Sequence, residues 1–212
     1  LRKQVADLRK LRAISTQSLA HAVEDIDLFA CLGANPHFSD FPTRHSVHVA
    51  NLAIATAIEM DLSERSIIEL ALGCLIHDLG MLAIPHANYE QERELNDDEF
   101  AEIAKHPVLT VELFADHLAS LPFPSLLVAY QIHERPNGAG YPRGRAGDEI
   151  HPLAKIASVA DAYAALVSPR PHRPGLQPYH AVRTLLKEVT DGLFDPAVVR
   201  ALLRTISLFP LG

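Results

Sequence analysis

Six polar side chains in this sequence fall where apolar helices ordinarily carry none: His45, the adjacent pair His77 and Asp78, His106, His133 and Asp161. Burying such groups is costly unless something pairs with them. Successive members are separated by 32, 28, 27 and 28 positions, counting from His45 to His77 and then onward from Asp78. The pair shares one helical segment and each of the other four falls on its own, so a bundle could bring all six to one place. Facing helices of a bundle can supply carboxylate and imidazole ligands to a pair of metal ions. Histidine nitrogen with aspartate oxygen suits iron, manganese, zinc or nickel, and the lack of thiolates argues against a structural zinc site. Twelve histidines in 212 residues is a rich supply, so most must be discounted. His21, His37, His48, His86, His117, His151, His172 and His180 read as ordinary surface or satisfied core residues, because a lone helical histidine is usually one of these.

The elements that must position the six are helical throughout. Apolar residues at three- and four-residue steps predict an amphipathic helix in LRKQVADLRKLRAIS (1–15). Further helices are expected over 45–60, 63–78, 97–105, 107–119, 124–133, 151–167, 179–189 and 195–208. Asn96 with Glu99 three residues on predicts a capped start, and Pro107 and Pro124 suit early helical positions. Loops are expected at 135–149, with four glycines, and at 168–178, with four prolines. Loops of this length inside a domain are usually functional or disordered. No alternating pattern demands a strand. The fold class is therefore all-α. Residues 1–35 form a leading helix, linker or dimerisation element, and 36–212 the main domain.

Composition narrows the function. A net charge of −7 and a pI near 5.9 argue against a broad nucleic-acid-binding face but leave room for a local anion site. Cys31 and Cys74 share no CxxC spacing and read as buried thiols of a reducing compartment. No signal peptide opens the sequence, and no run of about 18 uninterrupted apolar residues marks a membrane span. A cytoplasmic protein without a membrane anchor is expected. The first residue is Leu1 rather than methionine, which suggests a piece of something longer.

HDLGMLAIP (77–85), KHP (105–107), HERPNGAGYPRG (133–144), VADAYAAL (159–166), RPHR (170–173) and LFDPAVV (193–199) follow in order. Together they resemble the HD-GYP branch of the HD superfamily of metal-dependent phosphohydrolases, over about residues 40–200. The resemblance implies an HD-type helical bundle in bacterial signalling. It also implies a phosphodiesterase that opens cyclic di-GMP, or a related cyclic dinucleotide, to pGpG or GMP. His45, His77, Asp78 and Asp161 match the ligands of one metal, Asp78 the bridging carboxylate, and His106 and His133 ligands of a second. Catalysis would centre on His77 and Asp78, with a metal-bridging hydroxide attacking the phosphodiester. Tyr141, Arg143, Arg170 and Arg173 are candidates to hold substrate, since guanidinium forks match phosphate oxygens; Arg145 is a further loop cation. The GYP loop is associated with docking to GGDEF-type domains, and the leading helix suggests a homodimer.

The matches are incomplete. Met81 stands where the branch usually has lysine, Ile132 where it has the first of two adjacent histidines, and Ala164 where it has aspartate. Phe41 replaces the glutamate that goes with a third metal, so two divalent ions are expected, the second weakly held unless Gln131 or water substitutes. Two readings stand: an active phosphodiesterase, or an impaired signalling module that binds metal, nucleotide or a partner without turnover.

Overall fold

A computed structural model describes residues 7–24, 42–85, 93–170 and 173–207. Nine α-helices are formed among them. They are α1 (Leu8–Glu24), α2 (Thr43–Glu59), α3 (Glu64–Ile76), α4 (Asp97–Ile103), α5 (His106–Leu113), α6 (Phe123–Gln131), α7 (Pro152–Val167), α8 (Pro178–Thr190) and α9 (Pro196–Ser207). Short 3-10 turns occupy Leu79–Ala83, Ala115–Ser120 and Gly147–Glu149, and no sheet forms among the described residues. The architecture is the expected all-α bundle.

The core lies where α2, α3 and α7 meet. Their small and branched residues, including Ala53, Ile54, Leu70, Cys74, Ala157 and Ala160, are almost fully buried. Small side chains let these helices approach closely. Gly73 of α3 shows how closely: a Cβ there would stand 2.5 Å from Val128 Cβ and 2.8 Å from the Ser125 carbonyl oxygen on α6. The Ser125 hydroxyl seals the same contact by donating to the Glu69 carbonyl (2.7 Å). Leu19 and Ala22 of α1 join the main core, while Leu8 and Leu11 pack on a second cluster of Leu72, Ile76, Phe114, Leu121 and Ala129. The leading helix is thus seated on the bundle; the expected boundary near residue 35, like Cys31 and Phe41, lies outside the described residues.

Glu64–Ala83 is apolar and long enough to cross a membrane by composition, but about two thirds of it is buried against the rest of the bundle. The segment is not one helix. The expectation of a helix over 63–78 is corrected: α3 ends at Ile76, and His77 and Asp78 form the turn before the 3-10 segment. Expected helix 107–119 likewise divides into α5 and a 3-10 turn. The Asn96 capping box is formed, with Asn96 Oδ1 accepting from Glu99 N–H and Glu99 Oε2 from Asn96 N–H, both at 2.9 Å.

Candidate metal centre

The turn after α3 is built so that two polar residues can face inward. A helix end leaves carbonyls without partners. His77 Nδ1–H donates to one of them, Cys74 O, at 2.6 Å. The same arrangement recurs after α4, where His106 Nδ1–H donates to Ile103 O at 2.8 Å. In both rings this fixes the tautomer that leaves a lone pair on Nε2, the arrangement found in metal-ligating histidines. Thr110 then ties the two turns together, its hydroxyl donating to His77 O (2.8 Å) and accepting from Gly80 N–H (2.9 Å).

All six residues converge and are buried. His45 Nε2 lies 2.8 Å from Asp161 Oδ1, and His77 Nε2 lies 3.3 Å from Asp78 Oδ1 and 3.9 Å from Asp161 Oδ1. His106 Nε2 is 3.4 Å from Asp78 Oδ1 and 2.9 Å from His133 Nε2, while His133 Nδ1 is 3.4 Å from Asp161 Oδ2. Two sets, His45–His77–Asp161 and His77–Asp78–His133, each bring one ligand atom per residue within 4.8 Å of the others. His133 therefore borders both carboxylates rather than one end of the site.

The donors fit divalent cations. His77 Nε2 is wholly buried and has no hydrogen-bond partner, although its lone pair faces two carboxylates. Facing lone pairs repel unless a cation or proton stands between them. Burial pushes the Asp78 carboxyl up, but the imidazoles of His77, His106, His45 and His133 around it outweigh that and hold the group below its usual range. Burial opposes ionisation of Asp161 in the same way, and its bond to His45 together with the neighbouring imidazoles overcomes that. Burial lowers His106 and His133, so both rings stay neutral and available as ligands.

Glu134, which is not among the sequence-derived candidates, holds the loop that walls this site. Its buried carboxylate accepts from Arg143 N–H through Oε1 and from Arg145 N–H through Oε2, each at 2.8 Å. The loop is thereby curled back onto His133. Gly140 sits so close that a Cβ would lie 2.4 Å from Arg135 N and 2.5 Å from His133 O. Tyr141 N–H donates to His133 O (3.2 Å), and the Tyr141 ring stacks on His133, centroids 4.9 Å apart and planes 17° from parallel. Burial, and then the charges of Asp161 and Asp78, push the Tyr141 phenol up, so it remains protonated. A carboxylate inside this loop, next to the metal-type histidine, was the available signal for Glu134.

An open cavity of about 540 Å³, within the range of small-molecule sites, is lined by five of the six residues, with His77 buried behind them. Tyr141, Arg170 and Arg173 line it, as do Arg93 and Arg135. Arg143 is not among the lining residues, and its Nε–H donates to the Tyr130 hydroxyl (3.1 Å). Arg173 spends much of its guanidinium on the carbonyls of Ala165, Leu166 and Pro174, capping the end of α7. Pro171 and His172 lie outside the described residues.

Met81 lines the cavity and is buried. Ile132 and Ala164 are wholly buried in the main core. Gln131 is not a substitute ligand: its Oε1 accepts from His151 N–H (2.9 Å) and its Nε2 donates to Glu149 O (3.3 Å). Among the histidines set aside, His151 caps α7 by accepting from Leu153 N–H (3.2 Å). His48 is not a satisfied core residue, since it is buried with Nδ1 unpaired.

Burial pulls His48 down to about 4, with His45 adding repulsion. Below pH 6.5 the unfolded chain takes up a proton here that the folded chain refuses, so stability falls with pH until about pH 4. The span corresponds to at most roughly 3 kcal/mol. In chelator-treated protein, urea unfolding at pH 7 and pH 5 should show a smaller difference for His48→Leu than for wild type; equal differences would exclude His48 as a contributor.

A family model described as HD domain matches residues 33–198. The chain belongs to the HD superfamily, in its HD-GYP branch. A cyclic di-GMP phosphodiesterase of Pseudomonas aeruginosa is 31% identical over 97% of the chain and 51% of its own length. A 3'3'-cGAMP-specific phosphodiesterase of Vibrio cholerae is 30% identical over 81% of the chain and 37% of its own. This HD-GYP chain thus spans about half or less of the curated relatives it matches. Bd1817, an HDG"Y"P protein from Bdellovibrio bacteriovorus, superposes with a TM-score of 0.79 at 20% identity, over 92% of the chain and 62% of its own, and shares the fold.

Proposed function

We propose that this HD-GYP domain is a metal-dependent phosphodiesterase that hydrolyses cyclic di-GMP, or a related cyclic dinucleotide, to pGpG or GMP. The observation that carries this reading is the orphaned Nε2 of His77, tautomer-locked by Cys74 O and facing two carboxylates that burial has not neutralised. His45, His77 and Asp161 would hold one divalent ion, and His106 and His133 a second, with Asp78 between them. Two such ions supply an activated water and Lewis-acid clamping of phosphate oxygens. The chain supplies the rest. Neutral His106 and His133 present nitrogen lone pairs, Tyr141 closes one side of the site against solvent, and Arg170 faces the same cavity as a counter-charge for phosphate.

One set of observations favours the second reading, an impaired module that binds without turning over. Ile132 offers no ligand, Gln131 is committed elsewhere, and Met81 places no cation beside Asp78. The two readings separate in one experiment. Protein stripped by chelator and reloaded with manganese or iron is assayed for hydrolysis of cyclic di-GMP and 3'3'-cGAMP. The enzyme reading expects turnover that appears only on reloading; fully loaded protein that binds nucleotide without product would leave the module reading standing.

A further inference from the structure

The cavity has a second wall that plays no part in the metal chemistry. It is carried by Arg93 and α4, and presents Arg93, Leu95, Phe100 and Ile103 to the same space as Asp78 and His106. Phe100 is half exposed there (51%), and its ring meets Tyr141 edge-on, with centroids 5.7 Å apart and planes at 88°. An exposed phenyl beside a polar site is poorly explained by packing, and a T-shaped contact covers at most one face of the ring.

Arg93 is held in place. Its Nη1 donates to Glu99 Oε2 (2.8 Å) and Glu94 O (2.9 Å), and its Nη2 to Glu99 Oε1 (2.7 Å). Glu99 is itself fixed by the capping box of α4. A guanidinium has five N–H groups. Glu99 and Glu94 use three, which leaves Nε–H and the second Nη2–H without a partner among the described residues. Those two form the side-on fork that matches two phosphate oxygens. By contrast, Arg135 is committed to Ile132 O, Glu134 O and Ser158 Oγ and lies over the Phe194 ring, and Arg173 caps α7.

We infer that Arg93 and Phe100 form the subsite for the distal half of a cyclic dinucleotide: Arg93 grips the phosphodiester that is not being cleaved, and Phe100 stacks on a base. The inference rests on the proposed phosphodiesterase reading. It makes this wall a determinant of substrate size, because a mononucleotide-sized phosphodiester lacks the groups it would grip.

Arg93→Gln and Phe100→Leu test it, with Arg93→Lys and Phe100→Tyr as conservative partners. Arg93→Gln should raise the KM for cyclic di-GMP about tenfold or more, with Arg93→Lys between it and wild type. Phe100→Leu should raise KM about fivefold or more, with Phe100→Tyr close to wild type. Metal content and melting temperature are measured in parallel, since a purely structural strut would move those and kcat together. Unchanged KM in both variants, or KM changes that merely track lost metal or stability, would overturn the inference. Wild-type hydrolysis of bis(p-nitrophenyl) phosphate reports the metal chemistry separately. If wild type hydrolyses neither compound, the enzyme reading fails, and the same variants are compared by equilibrium binding of cyclic di-GMP. Weaker binding in the variants then still supports the subsite, whereas equal binding, or none by wild type, overturns it.

Discussion

Asp78→Ala is expected to remove at least one metal ion per chain and to lower cyclic-dinucleotide turnover by at least about a thousandfold. Asp78 Oδ1 stands 3.3 Å from His77 Nε2 and 3.4 Å from His106 Nε2, so it is the carboxylate that both histidine turns share. Without it, His106 and His133 keep nitrogen lone pairs but lose the adjacent anion that offsets a cation's charge. Stability should respond differently from activity. In metal-free protein, Asp78 and Asp161 are two buried anions close to each other, and removing one relieves repulsion as well as deleting contacts with neutral rings. The apo variant should therefore melt close to apo wild type. Metal binds the folded chain preferentially and raises its melting temperature, so that rise should shrink in the variant. Elemental analysis, turnover and melting with and without manganese check the three parts. Full metal content with turnover retained would show that Asp78 lies outside the chemistry.

Gly80→Ala should be among the most damaging small substitutions in the chain. Its added Cβ would lie 2.1 Å from His106 O and 2.8 Å from both Thr110 N and Thr110 Oγ1. Two of these neighbours are backbone atoms of α5 and cannot rotate away. Relief requires α5 to retreat, which carries His106 from Asp78 and breaks the Thr110 bridge to His77 O and Gly80 N. Overpacking of this kind costs about 1–3 kcal/mol, and loss of the buried hydrogen bonds adds to it. Urea unfolding should show the loss, and equilibrium dialysis should show weaker metal binding than in wild type. If stability and affinity are both unaltered, the two turns are not as tightly coupled as the Thr110 geometry requires.

The candidate site was far more legible in the sequence than its supports were. His45, His77, Asp78, His106, His133 and Asp161 could be found because each is a polar residue out of place in an apolar pattern. Helix periodicity then located the elements to within a few residues. What periodicity could not show was the break after Ile76. LGMLAIP is as apolar as the helix before it, and the turn depends on tertiary partners, Thr110 above all. The placement of Arg143 and the role of Glu134 were illegible for a related reason. A loop's composition says that arginines are present, but which of them faces the cavity is decided by the buried Glu134 carboxylate drawing in the backbone of Arg143 and Arg145. Gln131 was a plausible ligand by type and position, and only the geometry shows both ends of its amide engaged with Glu149 and His151.

The most direct measurement is anomalous diffraction from crystals of manganese-loaded protein. The predicted result is two peaks inside the six-residue pocket, one bordered by His45, His77 and Asp161 and the other by His106 and His133, with Asp78 between them. The second peak should be the weaker, because Ile132 gives it no ligand. A pocket without anomalous density in loaded crystals would contradict a metal centre at these residues, and with it the phosphodiesterase built upon it.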